Sequence, residues 1–278
     1  MPPAESLQDL TRLCIHTITT KPWSIYEAIS QYANAGISGI SVWREAVEGH
    51  DLKDVKSAIT NAGLATVSYV RGGFFPAASN KKRKEALDTN RRIIEEAAML
   101  GAPLVVLVCG ADPAQSIALS AQQVQDSIAE LAPFAKDAGI KLGIEPLHPL
   151  YADTRSAIVT LEQANNLVEV IQSPQVGVVL DVYHTWWDPN LNREIERCIG
   201  NDSLFAFHVC DWRVPTRDLL NDREIMGRGC INIKDIRKKL DRLGYNGFIE
   251  VEIFSNMYWE MDQRTYLEEI KTAYLNHV

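Results

Sequence analysis

Val176-Gly177-Val178-Val179-Leu180-Asp181 is apolar up to its last position and closes on a carboxylate. Short β-branched runs without polar alternation mark strands covered on both faces, as in a parallel sheet. Three runs of the same kind flank it: Ile140-Lys141-Leu142-Gly143-Ile144-Glu145, Leu204-Phe205-Ala206-Phe207-His208 and Phe248-Ile249-Glu250-Val251-Glu252. Earlier strand-like runs fall near 11–17, 37–42, 64–70 and 103–109. A helical segment follows each strand, near 24–35, 51–62, 81–100, 120–138, 156–171, 191–199, 233–243 and 262–276. Ser24 and Asp51 are placed to start helices, and Gly36, Gly63, Gly101, Gly139, Gly200 and Gly244 to end them. Eight strand-then-helix units in 278 residues predict an α/β fold, a closed (β/α)8 TIM barrel, as one domain over 1–278. The rival, an open doubly wound sheet, calls for a Gly-rich turn after its first strand. His16-Thr17-Ile18-Thr19-Thr20-Lys21-Pro22 stands there instead.

Composition limits the partners. The 28 basic and 36 acidic residues leave a formal charge of −8, which disfavours nucleic acid, since phosphate binding needs a basic surface. The basic cluster Lys81-Lys82-Arg83-Lys84 is followed by acids and reads as a solvated helix end. Cys14, Cys109, Cys198, Cys210 and Cys230 form no CxxC pair and are odd in number, which fits a reduced, cytoplasmic setting. Met1-Pro2-Pro3-Ala4-Glu5-Ser6 lacks the basic and apolar parts of a signal peptide. The longest apolar run, Leu104 to Cys109, is too short to span a membrane.

A charge at the end of a buried strand is costly alone and usually has a partner or a metal. In a (β/α)8 barrel the C-terminal strand ends converge at one mouth, and strands five to eight are neighbours. Glu145, Asp181, His208 and Glu252 therefore define a candidate site for one divalent ion. Three carboxylates and one imidazole favour Mn²⁺, Mg²⁺, Co²⁺ or Fe²⁺ over a closed thiolate zinc site, with Mn²⁺ named first. Glu250 lies two residues before Glu252 on the same strand face and reads as a buried polar contact deeper in the barrel. Such an ion polarises a carbonyl and eases formation of an enediolate, while carboxylates on either side remove and return the α-proton.

Glu145-Pro146, Asp181 with His184, His208-Val209 and Val251-Glu252-Ile253-Phe254 resemble the xylose isomerase-like TIM-barrel superfamily. The match is to its sugar phosphate isomerase/epimerase branch, which includes ketose 3-epimerases and inosose isomerases and dehydratases. The resemblance implies that Glu145, Asp181, His208 and Glu252 bind the metal and that Glu145 and Glu252 are the acid/base pair. It further implies that His184 contacts substrate oxygens, that an arginine follows strand seven (Arg213 or Arg217), and that dimers or tetramers form.

Beside the resemblance, His148 in Glu145-Pro146-Leu147-His148-Pro149 is either a substrate-binding or proton-transfer group or a partner that holds a ligand. Trp186, Trp187 and Trp212 are candidate pocket walls. His16, ending strand one, either faces the pocket or is a hydrogen-bonded core residue. Trp43, Arg44 and Arg71 to Phe75 are further rim candidates. Gly227-Arg228-Gly229 is too short for a dinucleotide fingerprint and reads as turn glycines. The leading expectation is a metal-dependent sugar isomerase or epimerase of carbohydrate metabolism, acting on a ketose or keto-inositol. The alternative is a lyase or dehydratase on a 3-keto sugar, keto-glycoside or inosose. An endonuclease IV-like DNA enzyme and a non-catalytic sugar-binding or partner-binding barrel are the other classes considered; six histidines and the acidic charge speak against the former.

Overall fold

The computed structural model of the chain describes residues 9–278, so the N-terminal stretch Met1 to Ser6, tested above for a signal peptide, lies outside the described residues. The strands are β1 (Leu13–His16), β2 (Gly39–Trp43), β3 (Ala65–Gly73), β4 (Leu104–Val108), β5 (Lys141–Glu145), β6 (Val176–Asp181), β7 (Leu204–Val209), β8 (Asp211–Trp212), β9 (Arg223–Glu224) and β10 (Ile249–Val251). Eight of them close a barrel in the order β1-β10-β7-β6-β5-β4-β3-β2, while β8 and β9 form a separate antiparallel pair. The helices are α1 (Ile25–Asn34), α2 (Leu52–Asn61), α3 (Asn80–Leu100), α4 (Ile117–Asp137), α5 (Leu161–Ile171), α6 (Val182–Thr185), α7 (Leu191–Gly200), α8 (Ile233–Arg242), α9 (Asn256–Trp259) and α10 (Gln263–His277). Among the described residues, no helix is long and apolar enough to cross a membrane.

By packing, the chain divides into two compact units, one made of the chain up to Thr66 with His208–Val278, the other of Val67–Phe207. In the first, β1 pairs with β10 through Cys14↔Glu250 and with β2 through His16↔Ser41. The Arg12 guanidinium secures the approach to β10 by donating to Gly247 O at 2.8 Å and Tyr245 O at 3.1 Å. Ser24 and Glu27 form a capping box that starts α1. The region 209–231 contains the β8–β9 pair. Its organiser is buried Asp211, whose carboxylate accepts from the backbone of Trp212, Gly227, Gly229 and Ile231, each at 2.9 Å. The amides of Gly227 and Gly229 are thus spent on a carboxylate of the chain itself, in keeping with the reading of Gly227-Arg228-Gly229 as turn glycines.

In the second unit β3 to β6 pair in parallel, register running through Val108↔Glu145 and Gly143↔Gly177. Gly73 has φ +106°, and a Cβ there would run into the Val108 carbonyl. Buried Asn90 locks this turn, accepting from Gly73 N at 2.7 Å and donating to Gly73 O at 2.8 Å. Helix α5 starts at Leu161, later than the expected 156. Thr160 and Gln163 form a capping box there, and Ser156 is already committed to a bridge with Gly110. Helix α4 starts earlier than expected, where Ser116 caps Leu119 N at 3.2 Å.

Candidate metal centre

Alternation along a strand puts Glu250 and Glu252 on one face. Both are buried, at 1% and 3% exposure, so each needs compensation. Glu250 Oε2 accepts from Ser41 Oγ at 2.5 Å and lies 3.0 Å from His16 Nε2 and 3.7 Å from His208 Nε2. Glu252 Oε1 lies 3.0 Å from His16 Nδ1. Arg223 Nη1 donates to Glu252 Oε2 at 3.0 Å and to its carbonyl at 3.2 Å. Burial pushes the Glu252 carboxyl up, but the His16 charge and hydrogen bond, with Arg223, overcome it and hold the group well below the usual carboxylate range. Burial likewise opposes His16 protonation, yet Glu252 and the two hydrogen bonds raise its pKa above 6.5. Trp43 Nε1 also lies 3.2 Å from His16 Nδ1. An imidazolium flanked by carboxylates keeps its Nδ1 proton toward Glu252 rather than offering a lone pair to the indole.

In the Val67–Phe207 unit, Asp181 ends β6 and caps the short helix α6, accepting from Tyr183 N at 2.8 Å. That single turn brings His184 back, its Nε2 3.7 Å from Asp181 Oδ2. His148 donates its backbone N–H to His184 Nδ1 at 3.2 Å, which assigns the His184 ring proton to Nε2. Leu150 N in turn donates to His148 Nδ1 at 3.2 Å. A neutral His148 therefore carries its ring proton on Nε2. Burial lowers the His148 pKa from 6.5 and favours that neutral form. Tyr151 and Trp187 rings pack edge-on against His184 and His148 respectively, both with centroids 5.7 Å apart. Trp187 Nε1 donates to His184 O at 2.8 Å, and Trp186 is the residue that ends α6.

One ligand atom from each of Glu145, Asp181, His208 and Glu252 lies within 4.8 Å of the other three, and all four residues are buried. The donor chemistry, three carboxylate oxygens and one imidazole, fits a divalent cation: without one, buried carboxylates at this spacing repel. The four strand-end residues singled out by sequence are thus brought together.

The others fall differently. His16 is fully buried, its nitrogens taken up by Glu250 and Glu252. Arg213 pairs with Asp222 at 2.8 Å and with Glu224, and Arg217 pairs with Asp222 at 2.6 Å. The arginine that reaches a strand-end carboxylate is Arg223, which sequence reasoning missed. Its position depends on the β8–β9 pairing of Trp212 with Arg223, and the only advance signal was a basic residue between acids, Asp222-Arg223-Glu224.

The signature of the family described as "Xylose isomerase-like TIM barrel" matches residues 29–273. Among curated proteins, the inosose isomerase of Halalkalibacterium halodurans is 24% identical, covering 82% of this chain and 79% of its own. The 3-dehydroshikimate dehydratase of Pseudomonas putida is 25% identical over 83% of this chain but only 36% of its own. Among solved structures, protein SMc04130 of Sinorhizobium meliloti 1021 is 38% identical with a TM-score of 0.94, covering 97% of this chain and 99% of that one. IolI protein with a bound zinc atom shares the fold at 20% identity and a TM-score of 0.81, over 94% and 96% of the two chains.

Proposed function

This chain belongs to the xylose isomerase-like TIM barrel family, and on that premise we propose that it is a divalent-metal-dependent isomerase or epimerase acting on a ketose or keto-inositol. The substrate class is a small sugar or polyol. The observation that carries this reading is the buried set Glu145, Asp181, His208 and Glu252, whose ligand atoms lie within 4.8 Å of one another. These four residues would hold the ion, which supplies Lewis acidity that makes a proton α to a substrate carbonyl easier to remove. Mn²⁺ remains the ion of first choice on ligand hardness; the zinc in IolI protein makes Zn²⁺ the comparison to test against it.

Glu145 and Glu252 form the acid/base pair. The N–H groups on both Glu252 oxygens stabilise its ionised form and weaken it as a base, so within the pair Glu145 takes the α-proton and Glu252 serves the opposite face. His184 and Trp186 line the substrate side. His148 donates from Nε2 to a substrate oxygen.

That last feature favours a second reading, a lyase or dehydratase on a 3-keto sugar, keto-glycoside or inosose, because elimination needs a proton for the departing oxygen. The dehydratase relatives support it. One experiment tests both. The metal-loaded protein is incubated in D2O with a panel of ketoses and inososes, and products are read by mass spectrometry and NMR. Epimerisation places deuterium at the α-carbon with mass otherwise conserved; elimination gives a dehydrated or smaller product. Glu252→Gln, folded by circular dichroism, should abolish either. Full turnover in that variant, or no exchange on any substrate by metal-loaded protein, overturns the reading.

A further inference from the structure

His16 ends β1 with its side chain wholly buried and both ring nitrogens 3.0 Å from carboxylates two residues apart, Glu250 on β10 and Glu252 just past its end. Cys14 is the register partner of Glu250, so His16, two residues on, rises on the same face toward Glu252. Glu250 is itself fixed by Ser41 from β2, 2.5 Å away. The result is a row of carboxylate, imidazole and carboxylate between two adjacent strands, held from a third by Ser41. A residue that only filled this space would be apolar, because an imidazole buried without partners is destabilising. Here each nitrogen faces an oxygen.

We infer that His16 is the positioning residue of Glu252, anchored in turn by Glu250, so that β1 sets the orientation in which Glu252 meets a metal ion. The inference rests on the reading of Glu252 as a ligand. Its physical basis is rotamer selection. A glutamate has three side-chain torsions to lose, and a ligand that is already oriented loses less on binding. His16 holds Oε1 while Arg223 holds Oε2, and each oxygen keeps a second lone pair for a cation. The competing role for His16 is direct ligation, since it also lies within 4.8 Å of ligand atoms of His208 and Glu252. Both ring nitrogens already lie 3.0 Å from carboxylate oxygens of Glu250 and Glu252, so the relay is the reading the geometry favours.

The test measures Mn²⁺ affinity by chelator competition and counts metal-bound imidazoles by electron spin-echo modulation, alongside thermal melting. Glutamine places its amide nitrogen near the Nε2 position and asparagine near Nδ1, so the two variants separate the two grips. His16→Gln, which loses the Glu252 side, should weaken Mn²⁺ binding about 10–100-fold. His16→Asn, which keeps an N–H toward Glu252, should stay within about tenfold of the parent protein. The imidazole signal, from His208 alone, should be unchanged in both. Glu250→Gln should weaken binding less than His16→Gln, and the double variant His16→Gln/Glu250→Gln should bind no worse than His16→Gln, because the anchor acts only through the ring. Should His16→Gln fail to fold, a weakened affinity in folded Glu250→Gln carries the same information. Equal affinities in His16→Gln and the parent overturn the relay alone, as do equal losses in Gln and Asn or multiplying losses in the double variant. Loss of an imidazole signal in His16→Gln makes His16 a ligand and likewise refutes it. A parent protein that takes up no Mn²⁺, Zn²⁺ or Co²⁺ overturns the relay together with the metal-enzyme reading.

Discussion

Arg223→Met should lower the melting temperature by roughly 6–20 °C. Arg223 is 4% exposed and directs one nitrogen at both the side chain and the carbonyl of Glu252, at 3.0 and 3.2 Å. Its guanidinium carbon also lies 4.9 Å from the centre of the Phe254 ring. Methionine keeps most of the aliphatic stem and its packing, so the loss is mainly the charge and its hydrogen bonds. Removing one partner of a buried ion pair costs about 3–5 kcal/mol, because the other charge stays buried. For a chain of this size each kcal/mol is about 2–4 °C, which gives the stated range. Arg223→Lys keeps the charge without the planar fork and should lose less. The double variant Arg223→Met/Glu252→Gln should be more stable than the sum of its single changes, since no uncompensated carboxylate remains. Differential scanning calorimetry on metal-free protein reads all of these. A melting temperature for Arg223→Met within about 2 °C of the parent, well under the range of roughly 6–20 °C, would refute the assignment of Arg223 as the charge partner of Glu252.

Two further expectations concern parts of the fold outside the ligand set. Burial depresses the His148 pKa below 6.5, so as the pH falls the unfolded chain takes up its proton first and the folded state loses stability from about pH 6.5 downward. His148→Gln removes this contribution; urea titrations between about pH 8 and 5, bracketing the ordinary histidine value, should show the variant losing less stability than the parent, and parallel pH profiles would contradict it. Gly229→Ala places a Cβ against Trp212 O and the Asp211 carboxylate. It should loosen the 209–231 region at a cost of about 1–3 kcal/mol. Limited proteolysis should then cut first within 209–231; unchanged cleavage and melting would show that Asp211 does not organise that region.

Much of the fold was legible because a βα unit is written locally. Glu145, Asp181, His208 and Glu252 stand where apolar runs stop, and parallel pairing carries every such stop to the same end of the barrel. Helix starts were less secure. Ser116 and Thr160 are ordinary polar residues until their side chains are seen on Leu119 and Gln163. The interior of 209–231 was not legible. It has no periodicity, and its shape comes from Asp211 gathering amides up to twenty residues away.

The sequence by itself therefore determined the eight-unit barrel, its family and the four ligand candidates, since each follows from short-range patterning and a chain order that leaves consecutive strands adjacent. Only the tertiary structure decided which side chains surround those four candidates. Arg223 rather than Arg213 meets Glu252, and His16 turns to Glu250 and Glu252, because partners separated by 29 and more than 230 residues are chosen by strand register and loop closure, which no local pattern records.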